Sequence, residues 1–167
     1  METLLGAVAG ALAGKLCSRI VGLFGTQDVP TPPPTQPPPS SLPVGARNEA
    51  KCRYFVEKLL APHPIAKVRP AWLRNPTTGR AMEIDMFCVD HPDGPVGVEY
   101  NGSHHYSLSE LHRDERAFRE QKRRDALKRR LCARHGVKLV VVPFTQRHRM
   151  EAFLREEFLK AGVRVSG

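Results

Sequence analysis

The feature that most limits this chain is a cluster of prolines, Pro30, Pro32, Pro33, Pro34, Pro37, Pro38, Pro39 and Pro43. Proline lacks a backbone donor and fixes φ, so neither a helix nor a sheet ladder can run through residues 28–45. That segment is expected to be an extended, semi-rigid spacer, with docking to a proline-recognition domain as the second reading. The 167 residues therefore divide into an apolar segment (1–27), a linker (28–45) and a region of globular composition (46–167). The last is long enough for one compact domain.

Residues 1–25 are almost uncharged, and Gly6, Gly10 and Gly14 would share one face of a helix. Bare glycines at that spacing let two helices approach closely. Lys15 and Arg19 interrupt the apolar run, and about 20 apolar residues are needed to cross a bilayer. The expectation is thus a helix that lies on a membrane or packs on a partner helix, rather than a clean span. Glu2, and the lack of basic residues before the run, argue against a secretory signal.

Lysine and arginine number 26 against 17 acidic residues, for a formal charge of +9. Such a balance points to a polyanion. Cys17, Cys52, Cys88 and Cys132 are scattered without a Cys-x-x-Cys pair. That disfavours a zinc knuckle or a disulfide framework and fits reduced, buried thiols.

Within 46–167 the apolar spacing predicts a helix over Glu49–Leu60, with Ala50, Tyr54 (or Phe55), Leu59 and Leu60 on its buried face. An extended piece around Pro70 (68–73) and a turn at Asn75–Gly79 follow. Strands are predicted at 81–89 and 96–101, joined by the turn His91-Pro92-Asp93-Gly94. A long helix over about 109–135 ends at Gly136, followed by a buried strand (137–143) and a closing helix (150–161). The order α, β, β, β, α, β, α describes an α/β domain, a small mixed β-sheet flanked by helices.

Strand side chains alternate, so Glu83, Asp85 and Phe87 are expected on one face, as are Gly97, Glu99 and Asn101. The tight turn sets Asp85 opposite Glu99 or one step diagonal. Two carboxylates and the Tyr100 main-chain carbonyl would suffice for magnesium, which takes oxygen ligands and keeps several waters. The plainer alternative is a hairpin whose solvated face carries both acids. On the long helix, Phe118, Gln121, Asp125, Lys128 and Cys132 fall on one side. Arg116, Arg119, Lys122, Arg123, Arg129, Arg130 and Arg134 fall on the other, a basic stripe suited to phosphates.

The ordered pieces Val68–Leu73, Asn75–Arg80, Glu83-Ile84-Asp85, Glu99-Tyr100-Asn101-Gly102, His105-Tyr106, Gln121, Arg124-Asp125, Lys128 and Gly136–Phe144 carry a resemblance. The stretch from Glu49 to Phe144 resembles the PD-(D/E)XK nuclease superfamily, in its compact very-short-patch-repair and restriction-endonuclease-like branch. Members from large DNA viruses and phages look most similar. The resemblance implies a restriction-endonuclease-like core (αβββαβ) that hydrolyses DNA phosphodiesters with a metal-activated water. Mg2+ would be the cofactor, Mn2+ would substitute, and no nucleotide cofactor is implied. By the same carry-over Asp85 and Glu99 bind the metal, with Glu49 as an auxiliary acid. Asn101 stands where the superfamily has its lysine, so that role would pass to Lys128 or Gln121. His105 becomes a candidate acid for the leaving oxygen or a phosphate contact, with a hydrogen-bonded structural histidine as the plainer reading, and His104 stands where similar chains have glutamine beside the substrate. Arg119, Lys122, Arg123, Arg129 and Arg130 would meet the DNA backbone. An intracellular setting follows, with membrane or virion association through the N-terminus. The rival readings are a catalytically silent DNA-binding module and a membrane- or virion-associated structural protein.

Overall fold

The computed structural model of the chain describes residues 40–102 and 115–167. The helix expected over 1–27, most of the proline spacer, and His104 and His105 lie outside the described residues.

Helix α1 spans Val44–Leu60 and starts after Pro43, five residues ahead of its expected start. A proline at a helix start costs little, because the first N–H groups have no intrahelical partner anyway. The Arg47 N–H donates to the Pro43 carbonyl at 2.8 Å and so begins the ladder. The buried face is Cys52, Val56, Leu59 and Leu60, at spacings of four, seven and eight residues, as one helical stripe requires. Ala50 and Tyr54 are only half-buried, which corrects the expected face by a fraction of a turn.

Four strands form one sheet in the order β1-β2-β3-β4: Ala66–Val68, Ile84–Cys88, Val96–Asn101 and Lys138–Pro143. The first three pair antiparallel, while β3 and β4 run parallel. β3 matches its expected span. β1 falls earlier than the extended piece read around Pro70, because that proline opens a turn closed by Leu73 N–H to Pro70 O at 2.9 Å. β2 is shorter than expected. Ala81 makes only an isolated bridge to Arg74, flanking a turn in which Asn75 Oδ1 accepts from the N–H groups of Thr77 and Thr78.

Helix α2 (Glu115–Arg134) links β3 to β4 across residues that include the undescribed 103–114, and α3 (Met150–Lys160) closes the chain. Gly136, at φ 69°, turns the chain after α2, a left-handed conformation that favours glycine. Strand alternation separates two cores. Val96, Val98, Val140 and Val142 pack with α1 and α3, whereas Val137, Leu139, Ile84 and Phe87 pack with Cys132 of α2. Each fully buried aliphatic or aromatic side chain contributes about 1.5–3 kcal/mol. Gly97 sits where the second core is tightest. A Cβ there would lie 3.1 Å from Leu139 Cδ1 and 3.3 Å from Ile84 Cγ2.

Candidate functional site

The site forms at the sheet end where β2 begins and β3 and β4 finish. Met86 pairs with Val98 and Phe87 with Gly97. The paired register ends at Met86 and Val98, one residue short of Asp85 and Glu99, which are near enough for the Asp85 charge to raise the Glu99 pKa. The faces, however, do not alternate as expected. Ile84 and Phe87 both join the α2-side core while Met86 joins the other, which strict alternation forbids. The β1–β2 register shifts between its two recorded pairs, Ala66 with Phe87 and Val68 with Ile84. Such irregularities re-aim a side chain out of the regular pleat, and here Asp85 lies within the shift.

Asp85 Oδ2 accepts a long hydrogen bond, 3.4 Å, from the Tyr100 N–H. In a pleated strand a residue's N–H and C=O leave on the same edge, so the Tyr100 carbonyl also faces the β2 side. The Asp85 main chain is itself held from α1, because Arg53 Nη2 donates to its carbonyl at 2.7 Å. Arg53 Nη1 also meets Glu57 Oε1 at 3.4 Å.

Glu99 lies on the opposite, α2-facing side of β3 from Val98 and Tyr100, and it is buried at 8% exposure. Lys128 of α2 donates to its Oε2 at 2.6 Å. Its Oε1 is buried without a hydrogen-bond partner among the described residues. Burial drives its pKa from 4.5 up to about 7, with the neighbouring Asp85 charge adding to the rise and Lys128 opposing it. A buried carboxylate oxygen without a donor is costly.

Helix α2 presents its faces as its periodicity predicts. Gln121 and Cys132 are buried and Lys128 is largely covered. Arg116, Arg119, Lys122, Arg123, Arg129, Arg130 and Arg134 are exposed. Asn101, also buried, lines a narrow crevice with Glu99, Asp125, Lys128, Arg129 and Leu139. Gln121 Oε1 accepts from Arg124 Nη2 at 3.4 Å. Arg119 and Arg116 are partly committed to Glu115 and Glu120 along the same helix.

Sequence reasoning missed Lys67. From β1 its Nζ lies 2.9 Å from Glu83, 3.9 Å from Asp85 and 3.9 Å from Glu49. It thereby joins Glu49 of α1 to Glu83 and Asp85 at the start of β2. Hydrogen bonding to Glu83 leads the rise in the Lys67 pKa. For Glu83 burial pulls upward, but Lys67 and Arg69 together outweigh it and the pKa falls. The available signal was a lone lysine between apolar neighbours, Ala66-Lys67-Val68. Three residues were too few to assign a strand period.

The fit to a hard divalent cation can be judged from these donors. Among the described residues no group of three or more His, Cys, Asp or Glu side chains converges as a metal site. The donors at hand are the orphaned Glu99 Oε1, the Asp85 carboxylate and the Tyr100 carbonyl, two acids whose mutual repulsion a cation would relieve. That oxygen set suits magnesium, which completes its shell with water.

Fold and site together define a mixed α/β protein, a four-stranded sheet flanked by three helices, with a buried Glu99 paired to Lys128 of the basic helix α2. No family model matches the chain, and no solved structure does. Three curated viral proteins match. The uncharacterized protein 033L of Invertebrate iridescent virus 3 is 46% identical over 101 residues, covering 60% of this chain and 50% of that protein. The uncharacterized protein 307L of Invertebrate iridescent virus 6 is 36% identical over 115 residues, covering 60% and 57%. The uncharacterized protein 094L of Frog virus 3 (isolate Goorha) is 32% identical over 139 residues, covering 82% of this chain and 86% of its own length. The chain spans about half the length of the two iridescent-virus relatives. It belongs to the family of the Frog virus 3 protein 094L.

Proposed function

We propose that this protein is a magnesium-dependent endodeoxyribonuclease with a restriction-endonuclease-like core. The observation that carries the reading is Glu99, buried beside Asp85 with one oxygen on Lys128 and the other unpartnered. Asp85, Glu99 and the Tyr100 carbonyl would hold the cation, with Glu49 and Lys67 at its margin. A bound magnesium supplies Lewis-acid polarisation of a phosphodiester and acidifies water. Lys128 keeps Glu99 oriented and offsets negative charge that builds as the phosphodiester reacts. Arg53 fixes the Asp85 main chain. Lys67 balances Glu83 and Asp85, so the acidic cluster tolerates an approaching polyanion. Lys122, Arg123, Arg129 and Arg130, with Arg119, would bind the DNA backbone without reading bases.

The test is cleavage of plasmid DNA with magnesium or manganese, with a chelator control. Asp85→Ala, shown to be folded by circular dichroism, is expected to abolish cutting. A pure, folded wild type that binds DNA and never cuts it defeats the enzyme reading. One observation favours a second reading, a DNA-binding module without catalysis: Lys128 already occupies Glu99 Oε2, and no third acidic side chain converges there among the described residues.

A further inference from the structure

The sheet order leaves β4 paired on one side only among the described residues. Its register with β3 shows which backbone groups remain. Lys138 pairs with Val96, and its N–H donates to the Pro95 carbonyl at 2.9 Å. In a strand the N–H and C=O of one residue leave on one edge, and successive residues alternate edges. Lys138, Val140 and Val142 therefore bond to β3, while Leu139, Val141 and Pro143 turn their main chains outward. The outer edge thus offers the N–H groups of Leu139 and Val141 and the carbonyls of Leu139, Val141 and Pro143.

Sheets blunt such an edge with charges, bulges, prolines or a very short strand. β4 has six residues, and the run from Leu139 to Val142 carries no charge. The Lys138 ammonium does not cover the edge, because it donates to the Gly162 carbonyl at 2.8 Å. Pro143 alone in the strand lacks a donor.

Charge selects the occupant. Arg129 and Asp125 of α2 line the crevice that runs along Leu139 and Val141. Lys122, seven residues before Arg129, lies within about 20° of it around the helix, and both are exposed. The flank of α2 above the open edge is therefore net cationic. A second copy paired two-fold along β4 would set Arg129 and Lys122 against their own counterparts, a like-charge contact that disfavours association. A nucleic-acid strand meets the cations but brings no amide ladder to Leu139 and Val141. An extended acidic peptide satisfies both.

We infer that the outer edge of β4 binds an extended acidic segment of a partner protein. That segment adds to the sheet as a fifth strand, its acidic side chains toward Arg129 and Lys122. In this mode main-chain hydrogen bonds give affinity and alternate side chains give preference. The inference stands apart from the nuclease reading and would hold for a protein that never cuts DNA.

The experiment uses the full chain and a labelled peptide of about eight residues alternating glutamate with valine, beside one alternating lysine with valine. Amide exchange is followed by NMR, and binding by anisotropy at low salt. In the free protein the Leu139 and Val141 amides are expected to exchange fast, and those of Lys138, Val140 and Val142 slowly. The glutamate peptide should slow exchange at Leu139 and Val141 and bind about tenfold more tightly than the lysine peptide. Val141→Pro removes one outward donor and no bond to β3, a change that edge positions tolerate; it should weaken the glutamate peptide about tenfold. Arg129→Glu keeps both donors and should erase the preference between the peptides. Slow exchange at Leu139 and Val141 in the free protein overturns the inference, whether the chain's own residues or a second copy covers the edge. So does equal binding of the two peptides by wild type, or protection of those amides by a single-stranded oligonucleotide and not by the peptide. A folded Val141→Pro protein with wild-type affinity overturns it as well.

Discussion

Replacing Glu99 by glutamine isolates a buried charge that the fold disfavours. Its carboxyl is 8% exposed, with one oxygen 2.6 Å from Lys128 Nζ and the other unpartnered among the described residues. Burial outweighs the lysine and lifts its pKa from 4.5 to about 7. At about 1.4 kcal/mol per pKa unit, ionising Glu99 in the fold costs about 3 kcal/mol more than in the unfolded chain. Because the folded pKa is the higher one, Glu99 contributes its full stability below the unfolded value of 4.5, and loses it as pH rises through about 7. Urea unfolding of wild type and Glu99→Gln, both in chelator, should be compared from about pH 5 to about pH 8. Other titrations cancel in the difference. The wild type should lose stability relative to the variant by about 3 kcal/mol across that window. Magnesium at the alkaline end should restore it in wild type alone, since a ligand of the folded state stabilises by mass action. A flat difference curve refutes the reasoning, and so does one that rises with pH, as it would if the Lys128 pair outweighed burial.

His91 should act with the opposite sign. Burial leads the lowering of its pKa, its Nδ1 accepts from the Asp93 N–H, and its Nε2 faces the Arg164 carbonyl. Stability should therefore fall as pH drops below the ordinary 6.5, and His91→Gln should flatten that acid limb in the same urea assay. Gly97→Ala should destabilise by about 1–3 kcal/mol through overpacking, given the 3.1 Å approach to Leu139; an unchanged urea midpoint would contradict the tight packing. Removing Arg129 and Arg130 together should lower the salt slope of DNA binding by about 2 and weaken all sequences alike, measured by anisotropy across a salt series. An unaltered slope would move the DNA elsewhere on the surface.

Much of this architecture is legible in the sequence. The apolar, β-branched run at 137–143 identifies a buried strand, because few other patterns hide that much branched surface, and the turn at His91–Gly94 places the strand at 96–101. The period of α2 separates Gln121, Lys128 and Cys132 from the arginines, since a single helix has only one face to bury. The tight turn after β2 confines Asp85 to the neighbourhood of Glu99. Tertiary structure alone decided the rest. Lys67 entered the site because β1 pairs with β2, and three residues carry no period from which to foresee a strand. Asp85 left the regular alternation because the β1–β2 register shifts, an irregularity that only the partner strand imposes. The unpartnered oxygen of Glu99 depends on how far α2 stands from the sheet. Periodicity fixes which side of an element is buried; the depth and company of a charge come from packing between elements distant in sequence.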